Sequence, residues 1–463
     1  MENQMQFSKN AIKSAISAFL NSEGFLVLYS AFVLIFSFLG NNAVTLSVIL
    51  LTLAVIFFTQ KNLRPIFVPL TLSYFALTFI DGEFKLNWLF YLSATVFVVS
   101  LVYYIVANRP KLFLTTNLKA LLPYGAAYVL AGSFAANYMQ NKIYHQQIAL
   151  LLLVVAAFLL LSLIAANSEF DGPEFVFKVI FALGVVVGLQ CCITALVTED
   201  FLEEVFLKDL FHTNWGVYNG VITVFLFTIP ASFYLAVKYS RYAYIFVLAG
   251  FLQFAAGHLT ASRAAFLALT PFLLVCFAAT LAVCDKRKRR RVAAAFLMSL
   301  GVLIAVCVVI ALLNAEFVKD LFSVFASSGF DLGRAGVWKD SIAFFLENPL
   351  FGLGLIHHEE IQQAAISYLW MSHNTILQAL SSLGIVGFTG LMIHSFIKYK
   401  TFLKRDYFSF FALIMIIATE LYGLIDCLMP APYYLMPLLL LLISADRIKD
   451  DNKEKIPLRS QLK

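Results

Sequence analysis

Charged residues are scarce in this chain of 463 residues, of which only 13% are Asp, Glu, Lys or Arg. A soluble domain carries about 25% of these residues, so the composition excludes an ordinary soluble protein. Apolar runs of about 20 residues follow one another instead, and each is long enough to cross a bilayer as a helix. We therefore predict an all-α fold, a polytopic transmembrane helical bundle that forms one domain over residues 1–463.

Metal-binding clusters are also missing from the sequence. The six cysteines lie in or beside apolar runs, and their spacing matches no metal motif. The segment His357–Glu360 holds two histidines and two glutamates, but neighbouring side chains on a regular element point in different directions. We predict neither a metal site nor a cofactor, and we count His357 among the substrate-binding candidates.

Basic residues are concentrated in two runs, DKRKRRR at 285–291 and KYKTFLKR at 398–405. Both runs lie between apolar segments. In that position they orient the neighbouring spans and sit against anionic headgroups. We therefore predict contacts with membrane lipids and none with nucleic acid.

The hydropathy pattern predicts about fourteen spans. They are 24–40, 43–59, 65–81, 87–107, 119–138, 148–166, 175–197, 219–237, 243–259, 264–284, 292–313, 375–397, 407–425 and 431–445. Before them, residues 8–20 place apolar side chains on one helical side and lysines on the other, which predicts a short interfacial helix.

The distribution of basic residues predicts the orientation of the bundle. If the N-terminus is cytoplasmic, only seven of the 33 Lys and Arg lie outside: Lys85, Lys142, Lys208, Arg263, Lys319, Arg334 and Lys339. This asymmetry follows the positive-inside rule. It predicts that both termini are cytoplasmic and that the loop 314–374 is extracytoplasmic.

The loop 314–374 collects most of the polar chemistry, and a connection of this length within a tight bundle is usually functional. Arg334 and Trp338 lie four residues apart on a predicted helix over 332–346, so they share one face. A guanidinium in the first turn of a helix favours bound phosphate. The alternative is that Arg334 pairs locally with Asp331 or is solvated.

Two further polar positions lie where predicted outer helices begin. Arg263 ends the turn TASR, where it either binds an anion or snorkels to lipid phosphate. His373 and Asn374 precede the predicted span 375–397. A helix start disfavours the imidazolium, so His373 is the candidate general base, the alternative being a histidine that merely caps the helix.

Two more groups of polar residues lie on the predicted outer side. One group precedes the span 219–237 and fits either sugar contacts or an interfacial aromatic belt; it comprises Asn214, Trp215, Tyr218 and Asn219. The other is acidic, with Glu420 and Asp426 near the outer end of the span 407–425. A carboxylate within the hydrocarbon is costly and often functional, so Glu420 is predicted to face the bundle interior.

These motifs, in this order, resemble the O-antigen ligase/polymerase family of bacterial membrane glycosyltransferases. The resemblance is carried by RAGVW at 334–338, ENPLFGLG at 347–354 and HNTILQALSSLGIVG at 373–387, with TASR and the 214–219 stretch in the family's order. It implies a GT-C-like architecture in a bacterial inner membrane, with an extracytoplasmic active site.

The reaction implied by the resemblance is metal-independent transfer of a glycan from undecaprenyl diphosphate to an acceptor. The acceptor is lipid A–core for a ligase and another lipid-linked repeat for a polymerase, and a count of fourteen spans favours the polymerase. Arg263 and Arg334 would bind the diphosphate, and His373 would be the catalytic base. Trp338 and Asn374 would contact the substrate.

A lipid-linked oligosaccharide flippase or another transporter is the alternative function. Transporters contain broken helices or charged residues near the middle of the membrane. The polar groups of this sequence cluster at one face, and the spans are clean apart from Glu420. The sequence therefore favours an enzyme.

Overall fold

The computed structural model describes residues 2–39, 42–73, 87–134, 144–198, 218–260, 262–313, 315, 319, 334–354, 372–428 and 432–456. Within these ranges the chain is all-helical, apart from a single isolated β-bridge. The helices are α1 (Glu2–Leu20), α2 (Glu23–Leu39), α3 (Asn42–Thr59), α4 (Phe67–Leu72), α5 (Trp88–Asn108), α6 (Thr116–Phe134), α7 (Tyr144–Ala166), α8 (Glu174–Val197), α9 (Tyr218–Lys238), α10 (Ala243–Leu259), α11 (Arg263–Val283), α12 (Lys286–Leu313), α13 (Ala335–Glu347), α14 (Thr375–Phe402), α15 (Tyr407–Tyr422) and α16 (Pro432–Arg447).

Seven of the described helices are long and apolar enough to cross a membrane: α5, α8, α9, α10, α11, α12 and α14. The chain is therefore a multi-pass membrane protein. The bent pair α1 and α2, which meet at 68°, would make an eighth span. The described residues do not confirm the predicted total of about fourteen. Within them α3, α7 and α15 are apolar but shorter, and α4 comprises six residues only.

The core of the bundle is organised around α9. Every side chain from Gly220 to Val237 is buried, and α9 packs against α8, α10, α11, α15 and α16. A helix that is apolar on all sides is stable only when other helices surround it. In the middle of this packing, Gln253 of α10 accepts a hydrogen bond from Thr228 at 2.8 Å and donates one to Ser232 at 3.2 Å, which joins α10 to α9.

Several connections that were predicted to share one membrane side do lie together. Lys238 contacts Glu174 at 2.7 Å and Glu454 at 3.5 Å, and Lys288 contacts Glu454 at 3.2 Å. Lys178 pairs with Glu23 at the start of α2. Ion pairs therefore join the starts of α2, α8 and α12, the end of α9 and the C-terminal segment on a single face of the bundle.

The predicted span 375–397 lies within α14, one of the seven candidate spans, but α14 is interrupted at Gly384. Gly384 has φ +64° and ψ −161°, a conformation that only glycine adopts at little cost. The segment Pro349–Gly354 fills the break. Leu353 and Gly354 donate to the carbonyls of Ser381 and Ser382 at 2.8 and 2.9 Å, while Ile385 and Val386 donate to Pro349 and Leu350 at 2.8 and 3.4 Å.

These four bonds satisfy backbone groups on both sides of the break, as a low-dielectric environment requires. The packing is close enough that a Cβ on Gly384 would lie 2.3 Å from the Leu350 carbonyl oxygen. The Pro349–Gly354 segment and the break in α14 therefore form one unit.

The break also bends α14. The Thr375 amide donates to the Gly423 carbonyl at 2.7 Å, and Lys398 pairs with Glu420, only three residues before Gly423. In a straight helix Thr375 and Lys398 would be about 34 Å apart. A lysine and a glutamate side chain cannot cover that distance, so the second half of α14 turns back toward the end of α15.

The interior of the bundle is consequently more polar than the sequence predicted. Lys398, which belongs to a basic run assigned to a loop, is buried beside Glu420 and donates to the Tyr434 hydroxyl at 3.1 Å. Tyr399 donates to the same carboxylate. The prediction that the spans are clean apart from Glu420 is therefore wrong, since α14 is broken and carries a buried lysine.

Candidate functional site

Arg334 and Trp338 lie at the N-terminal end of α13, about one helical turn apart. Arg334 is the N-cap residue of α13, and its carbonyl accepts the Trp338 amide at 2.9 Å. The predicted helix 332–346 thus begins slightly later, with Arg334 at its edge. Arg334 Nη1 and Trp338 Nε1 are both buried, and neither has a hydrogen-bond partner among the described residues. A buried donor without a partner is costly, so this pair is suited to an anionic or carbonyl oxygen.

His373 lies directly before α14 and adopts φ +45°, an uncommon conformation for a residue with a side chain. It is not the helix cap. Asn374 is the cap, because its Oδ1 accepts the amides of Ile376 and Leu377 at 3.0 Å each and its Nδ2 donates to the Leu424 carbonyl at 2.9 Å. The polar atoms of Asn374 therefore cap the helix, and His373 lies beside this cap.

Asp426 is the polar partner of His373. Its Oδ1 lies 3.3 Å from His373 Nδ1, and the Asp426 side chain is 3% exposed against 34% for His373. A carboxylate at Nδ1 holds the proton on that nitrogen in the neutral ring and leaves Nε2 as the acceptor. The His373 side chain is also partly exposed, as a proton acceptor must be.

The segment Gly423–Leu428 sets the position of Asp426. Thr375 donates its hydroxyl to the Asp426 carbonyl at 3.2 Å and accepts the Leu428 amide at 3.0 Å. Together with the Asn374 and Thr375 bonds to Leu424 and Gly423, these contacts wrap the segment around the start of α14. These bonds fix the backbone from which the Asp426 side chain extends.

Buried hydroxyls connect α13 to the residue before the histidine. Ser341 of α13 donates to Ser372 at 2.9 Å, and the Ser372 amide donates to Gln378 Oε1 at 2.8 Å. Gln378 in turn donates to Ser382, next to the break in α14. Arg334 lies seven residues, or about 10 Å, before Ser341 along α13. The helix that carries Arg334 is therefore fixed to the segment that carries His373.

This part of the chain matches a family of known proteins. Residues 248–392 match the O-antigen ligase family. The resemblance predicted from the motifs is confirmed. The O-antigen ligase match extends from α10 into α14, so it includes Arg263, Arg334 and His373, and it ends before Asp426. It supports a membrane glycosyltransferase-like function in polysaccharide assembly. No curated protein is similar to the chain at a significant level.

The remaining predicted residues are only partly described. Arg263 is the first residue of α11, as predicted, and Tyr218 and Asn219 begin α9. The side chains of these three residues lie outside the described part of the chain, as do Asn214, Trp215 and His357 altogether. Among the described residues, no group of three His, Cys, Asp or Glu side chains is arranged to hold a metal ion.

Asp426 is the site residue whose role the sequence did not reveal. Its position after the last turn of α15 was visible, but its partner was 53 residues away in sequence. The available signal was an acidic residue on the same predicted membrane side as an isolated histidine. Only the tertiary structure brings Asp426 to the histidine of the O-antigen ligase region.

Proposed function

We propose that the chain is a glycosyltransferase that moves a glycan from undecaprenyl diphosphate to an acceptor hydroxyl on the outer face of a bacterial inner membrane. The observation that carries the proposal is the His373–Asp426 pair, connected through Ser372 and Ser341 to the helix of Arg334 and Trp338. The match to the O-antigen ligase family supports it.

In the proposed reaction His373 Nε2 takes the proton of the acceptor hydroxyl. The acceptor oxygen forms a bond to the anomeric carbon of the glycan, and the bond from that carbon to the diphosphate oxygen breaks. The diphosphate leaves with its electron pair, and Arg334 with Arg263 neutralises the charge. Because the diphosphate is already a good leaving group, positioning and charge neutralisation supply the catalysis without a metal ion.

A cavity of about 240 Å³ between α14 and α15 offers a place for the first part of the lipid chain. It begins at Thr375 and Leu424, beside the His373–Asp426 pair, and its walls are largely apolar. An isoprenoid chain there would keep the diphosphate near the membrane surface. The acceptor would approach from the aqueous side, as a second lipid-linked repeat or as lipid A–core.

A transporter remains the second candidate, because the broken α14 and the buried Lys398–Glu420 pair are features of transporters. Reconstituted protein distinguishes the two functions. A transferase forms a longer glycan or a capped acceptor in proteoliposomes that hold donor and acceptor on the same side. A transporter moves the donor across the bilayer and leaves both substrates chemically unchanged.

The cellular test is surface-glycan profiling of a deletion strain complemented with wild type, His373→Ala or Arg334→Ala. We expect both variants to lose surface polymer while lipid-linked repeats accumulate. Single repeats on the final acceptor identify a polymerase, and long chains retained on the lipid carrier identify a ligase. Normal polymer from both variants at normal protein levels would refute the proposed mechanism.

A further inference from the structure

The basic run at the start of α12 is divided between two helical faces. Lys288 pairs with Glu454 at 3.2 Å, and Arg289 donates to the carbonyls of Leu281 and Cys284 at 3.0 and 3.2 Å, near the end of α11. These two residues hold helices and the C-terminal segment together. They account for only part of the positive charge in the run.

The other four basic residues line one groove on the surface of α12, and no other described residue lines it: Lys286, Arg287, Arg290 and Arg291. At spacings of one, four and five residues they occupy a single face of α12. None of them has a carboxylate partner within the part of the chain that the structure describes. Four cations on one face repel one another, so the groove is suited to an anionic ligand.

A second groove adjoins the first and shares Arg291 with it. Arg291 donates to Ser240 at 3.2 Å, and Arg241 lies beside them. Farther along the helix the lining becomes small and apolar, with Ala294 and Met298 of α12 facing Tyr244 of α10. The combined surface therefore has a cationic end followed by an apolar strip.

The helix that carries this surface faces the bilayer. Only 11% of the apolar segment of α12 is buried inside the protein, the lowest share among the seven candidate spans. An apolar helix face that the described part of the protein leaves uncovered is available to lipid chains. A ligand with phosphate at the cationic end and hydrocarbon along Ala294 and Met298 would match both parts of the surface.

We propose that the grooves at the start of α12 bind an anionic phospholipid. Its phosphate groups lie among Arg241, Arg287, Arg290 and Arg291, and an acyl chain follows Ala294 and Met298 toward the membrane interior. The site is distinct from the His373–Asp426 pair, and the proposal does not depend on the reaction that this pair performs. Basic pockets between helices at a membrane surface are a recognised setting for lipids with doubly charged headgroups.

The test measures thermal stability and retained lipid in phosphatidylcholine nanodiscs with and without diphosphatidylglycerol. We expect diphosphatidylglycerol to raise the Tm of the wild type and to remain bound in native mass spectrometry. Arg287→Gln/Arg290→Gln should weaken the apparent affinity for diphosphatidylglycerol about tenfold or more. Neither arginine makes a hydrogen bond or an ion pair with another described side chain, so this variant should fold.

The matched control is Lys400→Gln/Arg405→Gln, which removes the same charge from exposed positions at the same end of the bundle. These positions lie near the start of α15, where the Tyr407 hydroxyl donates to the Val283 carbonyl at 2.9 Å. The control should bind diphosphatidylglycerol as the wild type does. Equal weakening in both double variants would overturn the site, because it would indicate attraction to overall charge.

A free anion is distinguished from a lipid by two further measurements. Sodium diphosphate should stabilise the wild type much less than diphosphatidylglycerol at equal phosphate concentration. Ala294→Trp should weaken the effect of the lipid and leave the effect of diphosphate unchanged, because it fills only the apolar strip. Equal stabilisation by both ligands, or an Ala294→Trp variant that binds lipid normally, would refute the lipid assignment.

Discussion

The contact between His373 and Asp426 affects the chemistry of both side chains. The carboxylate is almost fully buried, and its Oδ2 has no partner among the described residues, so its contact with His373 compensates part of the cost of burial. The histidine in turn has its Nδ1 at the carboxylate, which leaves Nε2 as the second ring nitrogen. This division of roles between the two ring nitrogens is what a general base requires.

Asp426→Asn tests this division of roles. The amide keeps the size of the side chain but can hold the ring in the wrong tautomer, so we expect kcat to fall about 10²–10⁴-fold with little change in KM. Single-turnover glycan transfer in proteoliposomes measures the effect. The control is Asp340→Asn, the same chemical change at an exposed position on α13, which should retain wild-type rates.

Glu420→Gln tests the buried ion pair. Lys398 would remain buried without a counter-charge, and the expected loss of unfolding free energy is about 3–5 kcal/mol. The double variant Lys398→Met/Glu420→Leu removes both charges and should recover much of that loss. Thermal unfolding in detergent measures both variants. If Glu420→Gln is as stable as Lys398→Met/Glu420→Leu, the pair is not buried as described.

The Pro349–Gly354 segment and the broken α14 act as one structural element. The segment supplies donors and acceptors to the two sides of the break, and the Ser341–Ser372–Gln378 bonds join the same unit to α13. This arrangement offers a structural explanation for the motifs at 347–354 and 373–387. They hold the histidine in place relative to the arginine.

Gly384→Ala should disrupt this element. A Cβ at φ +64° is strained, and it would meet the Leu350 backbone at 2.3–2.4 Å, so we expect a loss of about 2 kcal/mol or more. The matched control is Gly336→Ala in α13, where no described atom outside the adjoining helix backbone lies within 4 Å of the added Cβ. Thermal stability of the purified variants should fall for the first and remain unchanged or rise slightly for the second.

The bend of α14 has a direct spectroscopic test. Spin labels at Ile376→Cys and Ser395→Cys should lie closer than about 20 Å, whereas nineteen residues of a straight helix span about 28 Å. Labels at Ala294→Cys and Leu313→Cys have the same spacing on α12, which is not interrupted, and provide the reference distance. Equal distances for the two pairs would exclude the bend.

At the scale of the whole molecule, the ion pairs among Glu23, Lys178, Lys238, Lys288 and Glu454 place many predicted cytoplasmic connections on one face. The site at the start of α14 would then open on the opposite membrane side. That orientation agrees with transfer to an acceptor outside the cell. It also places the proposed lipid site of α12 in the cytoplasmic leaflet.

Cysteine labelling tests the orientation. In a Cys307→Ser background, we expect an impermeant maleimide to modify Lys339→Cys in intact spheroplasts and to modify Lys400→Cys only after permeabilisation. The native Cys284 should not interfere, because burial raises the pKa of its thiol to about 11. Labelling of Lys400→Cys in intact spheroplasts would reverse the proposed topology.

The sequence by itself determined the all-α membrane bundle and the resemblance to O-antigen ligases. It also indicated the positions of α11 and α13 and gave His373 as the candidate base. Apolar runs of bilayer length and polar residues at helix starts are local features of the sequence. They can therefore be recognised without knowledge of the tertiary structure. Hydropathy counts a run as one span whether or not the helix is straight, which is why the break at Gly384 was missed.

Only the tertiary structure decided which polar groups meet. The His373–Asp426 and Lys398–Glu420 pairs join separate helices, and the bonds between Pro349–Gly354 and Ser381–Val386 join separate segments. The sequence could not decide these contacts, because a carboxylate or a lysine in an apolar run is costly wherever it lies. Its partner is chosen by helix packing and by backbone groups that must be satisfied away from water.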